Sequence, residues 1–211
     1  MNWSVLTDNL GSISSGDIAI DPSNPDVLYY GTGELNYSLD SQYGDGIYKS
    51  TNAGASWNKV ATTLQVGTYT GKIIVDPTNS KNVYCAGNAG IYKSTDAGLS
   101  WTNVNGVNSS SLIMHPADPT ILYCSSGSGP SLIYKSTNSG LNWTLLTNGL
   151  TTSNGRRTQL AISRDDPNYI YASIASSSGA LLGLFRTTDA GESWSLQNST
   201  TNYMSSQGWY D

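Results

Sequence analysis

Charge is scarce in this chain. Only 12% of its 211 residues are charged, about half of the roughly 25% usual for globular domains. That shortage excludes coiled coils and long amphipathic helices, which need Glu and Lys on their solvent side, and no 3.6-residue period runs through a dozen residues anywhere. The ten basic residues are scattered except for Arg156-Arg157, and the net charge is -5, so the basic footprint of a nucleic-acid binder is missing. No apolar run approaches the roughly 20 residues of a membrane helix. No signal peptide precedes Asn2, so the chain is expected to be a processed or internal piece of something longer. The two cysteines, Cys85 and Cys124, follow Tyr84 and Tyr123 in neighbouring repeats. Such positions are too far apart for the Cα separation of about 4.4–6.8 Å of a disulfide, and free, buried thiols are expected.

What is abundant is Gly (22) and Tyr (14), with 6 Trp and much Ser, Thr and Asn, the composition of short strands joined by tight turns. One eleven-residue pattern occurs four times: Ile47–Trp57 (IYKSTNAGASW), Ile91–Trp101 (IYKSTDAGLSW), Ile133–Trp143 (IYKSTNSGLNW) and Leu184–Trp194 (LFRTTDAGESW). Upstream of each lies an apolar strand, a polar turn and a strand closing on Tyr, as in IAIDPSNPDVLYYG from Ile18. Pro in those turns fixes φ and removes a donor, which suits a turn and not a central strand. In the third copy His115 stands where Asp21 and Asp76 stand in the first two, and is read as a turn residue rather than a ligand. The four Trp lie 44, 42 and 51 residues apart. Four strands per unit at that period predict an all-β chain of four-stranded antiparallel β-propeller blades. The expected division is 1–10 as the outer strand of an incomplete blade, blades at 11–62, 63–106, 107–149 and 150–197, and 198–211 as the start of the next. An unclosed arc leaves exposed edges, so the chain is expected to belong to a propeller of roughly six to eight blades, with further blades of the same chain or a neighbouring copy as partners.

The pattern Ser/Thr-x-Asp-x-Gly-x-x-Trp resembles the Asp-box family, or bacterial neuraminidase repeats, over essentially the whole chain. Its positions are Ser50, Asn52, Gly54 and Trp57; Ser94, Asp96, Gly98 and Trp101; Ser136, Asn138, Gly140 and Trp143; and Thr187, Asp189, Gly191 and Trp194. Asn replaces Asp in two copies. An amide oxygen accepts hydrogen bonds as a carboxylate does, whereas a catalytic carboxylate or a charge-dependent calcium site would not accept Asn. The motif is therefore read as structural. The resemblance extends to sortilin-type receptors, photosystem II assembly factors and xyloglucanase-type glycosidases. The arginine cluster and the arginine-bearing N-terminal motif expected of a sialidase are absent.

Strand order puts the strand 1–2 turns and the repeated hairpins at one end of each sheet, and the strand 2–3 and 4–1 loops at the other. Loops on a rigid scaffold are where binding concentrates. The longest, Gly31–Asp45, holds Glu34, Asn36, Tyr37, Asp40, Gln42, Tyr43 and Asp45. The 4–1 loops are expected to add Tyr69, Arg156 and Arg157. Tyr stacks on sugar rings and carboxylates accept from hydroxyls; the same oxygens suit calcium, the one ion in view, and no cofactor is otherwise called for. The expected function is a non-catalytic extracellular or cell-surface module for a glycan or protein ligand. The alternative is a xyloglucanase-type glycoside hydrolase, for which Glu34, Asp40 and Asp45 are the carboxylates at hand, although all three sit in one loop.

Overall fold

In the computed structural model, residues 5–36, 40–151 and 153–208 are described. Every sheet is a four-stranded antiparallel ribbon with strands in sequence order. The first comprises β1 (Ser15–Asp21), β2 (Asn24–Thr32), β3 (Ile47–Ser50) and β4 (Asn58–Ala61). The second comprises β5 (Thr70–Val75), β6 (Val83–Gly87), β7 (Gly90–Ser94) and β8 (Thr102–Asn105). The third comprises β9 (Ser109–Met114), β10 (Leu122–Ser126), β11 (Ile133–Ser136) and β12 (Thr144–Leu146). The fourth comprises β13 (Gly155–Ile162), β14 (Ile170–Ser176), β15 (Leu181–Thr187) and β16 (Ser195–Asn198). Two compact units result: residues 1–35 with 40–106 hold the first two sheets, and 36–39 with 107–211 hold the other two. Among the described residues no helix is long and apolar enough to cross a membrane.

Alternation along the strands gives every sheet two faces. One, the Tyr face, carries Tyr29, Tyr84, Tyr123 or Tyr171, each opposite the basic residue of β3, β7, β11 or β15. The other, the aliphatic face, carries Ile18 and Ile20, Ile73 and Val75, Leu112 and Met114, or Leu160 and Ile162. In the first unit the Tyr face of β1–β4 (Tyr29, Ile47, Ala61) packs on the aliphatic face of β5–β8 (Ile73, Val75, Val83, Cys85). In the second, Tyr123, Ile133 and Leu146 pack on Leu160, Ile170, Ala172, Ile174 and Phe185. Deeper in each unit an inner-strand polar group caps the next sheet: Asp17 Oδ2 accepts from the Ile73 N–H at 2.7 Å, and Ser111 Oγ from the Leu160 N–H at 3.1 Å.

Three local features depart from the sequence expectation. Residues Thr63–Val66 form one helical turn, α1, with the Thr62 N–H donating to Gln65 Oε1 at 3.0 Å; four residues are too few to show a period. Strand β3, for which the sequence reading gives Gly46–Ser50, starts at Ile47, because Gly46 has φ +100° and a Cβ there would lie 2.0 Å from the Ala61 carbonyl oxygen. Arg156 and Arg157 lie within β13, not in the loop before it, since pairing with β14 extends back to Gly155 opposite Ser176. Cys85 and Cys124 are free and buried. Burial pushes the Cys85 thiol up to about 12 and raises Cys124 as well.

Candidate functional site

The repeated hairpin is built the same way four times. The Ser/Thr hydroxyl accepts from the glycine N–H two positions beyond the Asp or Asn, at 2.9 Å for Gly54, 2.8 Å for Gly98, 2.9 Å for Gly140 and 2.9 Å for Gly191. It donates to the Asp or Asn oxygen, at 2.9 Å for Asn52 and 2.8 Å for Asp96. That oxygen also accepts from the N–H four residues on, from Ser56, Ser100, Asn142 and Ser193 at 2.8–2.9 Å. Asn and Asp thus perform the same acceptor role. Asp96 and Asp189 gain a further hydroxyl, from Ser100 and Ser193, which holds each carboxyl down at about 2. The Trp101 and Trp143 indole N–H groups donate to the Gly98 and Gly140 carbonyls.

Between Asp/Asn and Gly sits a residue that no reading of side chains singles out. Ala53, Ala97, Ser139 and Ala190 all adopt left-handed φ of 54–58°. Their N–H groups donate back to the strand 1–2 turn of the same sheet, at Asp26, Lys81, Thr120 and Asn168, which pins both turns to one end. The carbonyls of Ala97 and Ala190 face the preceding sheet of their own unit. Tyr29 donates to Ala97 O at 3.0 Å, and Tyr123 to Ala190 O at 2.9 Å. Lys49 Nζ lies 5.2 Å from the Tyr29 ring centroid and donates to the same Ala97 oxygen at 2.9 Å; Lys135 covers Tyr123 but pairs with Glu192 at 3.2 Å. Burial raises both tyrosine pKa values to about 12 and lowers that of Lys49. In each copy the second strand carries a Tyr and the hairpin pattern a basic residue, and that recurrence was the available signal. Beside these clamps open a cavity of about 370 Å³ bounded by Asp21, Lys49 and Lys81, and one of about 220 Å³ bounded by Lys135, Asn138 and Glu192. His115 is a turn residue: its Nδ1 accepts from the N–H groups of Ala117 and Asp118, as Asp76 Oδ1 does from Thr78 and Asn79.

At the opposite end of the first unit the long loop closes on itself and on the strand before β5. Glu34 forms an isolated parallel bridge with Thr70. The Glu34 N–H donates to the Gln42 carbonyl at 3.1 Å, and the Gly44 N–H to the Thr68 carbonyl at 2.9 Å. Ser12 and Ser14 hydroxyls bond the Tyr43 and Gln42 carbonyls. These bonds bring Tyr43 and Tyr69 into a stacked pair, ring centroids 5.7 Å apart and 25° between planes, with Tyr43 exposed. The Tyr69 main chain is fixed through Asn88 on both sides. Asp45 points elsewhere: it pairs with Lys59 at 2.6 Å and accepts from the Tyr48 hydroxyl. Those two partners lower its pKa, and Tyr48 is raised in turn, mainly by burial. The Asp40 carbonyl accepts from the Gln42 side chain at 2.9 Å. Arg156, exposed, and Arg157, half-buried and beside the Gln159 side-chain amide, belong to the second unit, as does Asn36. Tyr37 lies outside the described residues. Among the described residues no three His, Cys, Asp or Glu come together as a metal site.

No protein-family model matches the chain, and no curated protein matches it. Solved structures do. An ancestral GH74 enzyme shares 20% identity at a TM-score of 0.71, over 90% of this chain and 25% of its own. The GH74 xyloglucanase of Xanthomonas campestris shares 20% at 0.66, over 88% and 30%. An auxiliary nutrient binding protein of Bacteroides thetaiotaomicron shares 13% at 0.59, over 90% and 44%. The fold is that of β-propeller blades. The chain spans a quarter to under a third of the two GH74 structures, and at these identities the likeness is one of fold. The four sheets are therefore blades, with the repeated hairpins at one end of each and the Tyr43–Tyr69 pair at the other.

Proposed function

We propose that this chain is a non-catalytic, extracellular module of Asp-box propeller blades that binds a glycan through the loop end of its first unit. The observation that carries this reading is the stacked Tyr43–Tyr69 pair, a rigid aromatic plane fixed by main-chain bonds on both sides. Beside it the Glu34–Gln42 main-chain bond fixes the loop, and the side chains of Glu34 and Gln42 are the polar groups for hydroxyls. Aromatic planes with a few placed polar groups are what small-ligand and sugar sites use. A low-charge, Ser/Thr/Asn-rich chain suits a secreted protein, and the likeness to a nutrient binding protein accords with binding without turnover.

The likeness to a xyloglucanase favours a second reading, a glycoside hydrolase. That chemistry needs an acid with a raised pKa beside a second carboxylate, about 5–9.5 Å away. Asp45 is ion-paired and lowered instead, which does not suit the acid role and favours the binding reading. A glycan array followed by calorimetry tests it. Tyr43→Ala and Tyr69→Ala are each expected to weaken glycan binding at least tenfold without lowering the melting temperature, and chelation of calcium to leave it unchanged. Polysaccharide hydrolysis that disappears in Glu34→Gln would overturn it.

A further inference from the structure

The clamps of the two units differ in charge. In the second unit Lys135 pairs with Glu192 at 3.2 Å, and the turn residue that accepts from the Ala190 N–H is Asn168. In the first unit Leu99 stands in the place of Glu192, and Lys81 in that of Asn168. Among the described residues neither Lys49 nor Lys81 has a carboxylate within ion-pair distance. Both border the cavity of about 370 Å³ between β1–β4 and β5–β8. Two ammonium groups therefore meet where the other clamp has one, already neutralised. Lys49 is half-buried, and one of its three N–H groups is taken by the Ala97 carbonyl.

The same cavity holds a single carboxylate. Asp21 is only 5% exposed, and its Oδ1 accepts from the Ser23 N–H and hydroxyl, both at 2.8 Å. Burial alone would raise its pKa, but the Ser23 bonds and the nearby Ser80 hydroxyl outweigh that and hold it below the ordinary value. The group is charged at neutral pH. Asp76, its counterpart in the next blade, also accepts on Oδ2 from the Asn82 side chain at 3.0 Å. The first blade has Val27 at that place, an apolar wall of the cavity.

We propose that this cavity is a second binding site, for an acidic sugar: a hexuronate with its carboxylate on Lys49 and Lys81, a ring hydroxyl donating to Asp21, and a C–H face on Val27. The charges select the class. Two ammonium groups attract an anion, and each offers a point charge rather than a fork, so one carboxylate oxygen per lysine suffices. Asp21 in the same space repels a second negative charge, which disfavours sulfate and phosphate. A neutral sugar would satisfy Asp21 but leave the lysines uncompensated. One carboxylate carried on a ring of hydroxyls answers both demands. The volume lies at the low end of the roughly 300–1,000 Å³ of small-ligand sites, the scale of a small sugar. This site is at the hairpin end, away from the Tyr43–Tyr69 pair, and does not depend on the glycan reading of that pair.

An NMR titration of the full 211-residue chain, labelled on its amide nitrogens, with sodium glucuronate at low ionic strength tests this. The amide signals of Asp21, Lys81 and Ala97 are expected to shift and saturate, with a Kd of about 1 mM for so small a ligand, while those of Tyr43 and Tyr69 stay. Glucose and sulfate should each bind at least tenfold more weakly. Lys81→Met, at an exposed position and checked for unchanged melting, should weaken glucuronate binding at least fivefold. Asp21→Asn keeps the Oδ1 acceptor of the turn and should bring sulfate to within about twofold of glucuronate. The proposal is overturned if no signal saturates, if glucose binds as well as glucuronate, if the shifts fall on Tyr43 and Tyr69 instead, or if Lys81→Met binds like the wild type. Sulfate that still binds tenfold more weakly to Asp21→Asn would remove the carboxylate from the account of selectivity and overturn the choice of a uronate.

Discussion

The clamps on Ala97 and Ala190 differ in one respect that stability measurements can read. Tyr29→Phe removes a hydroxyl from the Ala97 carbonyl, but Lys49 Nζ still donates to that oxygen at 2.9 Å. Tyr123→Phe removes the hydroxyl from the Ala190 carbonyl, and the matching lysine, Lys135, is engaged by Glu192. Among the described residues no other donor reaches that oxygen. A hydrogen bond whose acceptor keeps a partner is worth about 0.5–1 kcal/mol net, whereas leaving an acceptor in a tight interface unsatisfied costs about 1–3 kcal/mol. We therefore expect Tyr29→Phe to cost about 0.5 kcal/mol and Tyr123→Phe about 1.5–2 kcal/mol. With a urea slope of about 2.5 kcal/mol/M, the midpoint falls by about 0.2 M in the first and about 0.7 M in the second. The ring and its packing are unchanged in both, so cavity effects cancel. Equal costs, or a larger cost for Tyr29→Phe, would refute the accounting of donors at these carbonyls. Adding Lys49→Met to Tyr29→Phe should bring that clamp down to the level of the other.

Three further expectations concern the hairpins and the core. Ala97→Gly relieves a left-handed φ of 58° and should stabilise by about 0.5–1 kcal/mol, while Gly98→Ala, at φ +90° and 3.1 Å from Tyr29 Cε1, should cost about 2 kcal/mol in thermal unfolding. Asp96 and Asp189 are held at about 2 against an ordinary 3.8, so their contribution is whole above pH about 4 and is lost as pH falls towards 2; the double Asn variant should show a flatter loss of stability across that window in acid titrations. Cys85 and Cys124, buried with raised pKa values, should resist a thiol reagent in native buffer and react fully in denaturant; rapid native labelling would contradict the packing.

Strand order, hairpin ends and the acceptor bonds of Asn52, Asp96, Asn138 and Asp189 were legible because each depends on a residue type recurring at a fixed offset, and the physics of a turn is local. His115 was legible for the same reason, since a ring nitrogen accepts where a carboxylate does. Arg156 and Arg157 were misplaced because where a strand begins depends on its partner, here β14, and not on its own residues. The left-handed alanines escaped notice because what matters there is the main chain, and Ala names no chemistry. In the long loop the acidic residues were readable as a group, but not their division: Asp45 turns to Lys59 and Tyr48 on the neighbouring strands, and the stacking of Tyr43 on Tyr69 joins residues from two loops that no spacing relates.

The carbonyl of the left-handed residue gives the joint between the two blades of each unit an unusual currency. Within each unit, what one blade asks of the next is a peptide oxygen in a fixed place, at Ala97 and at Ala190, supplied whatever the side chain there. A gene segment encoding one blade can then be copied, dropped or moved without recutting the neighbours to match. Blade number becomes free to drift while the loops at the far end diversify, each on a scaffold that fits wherever it lands.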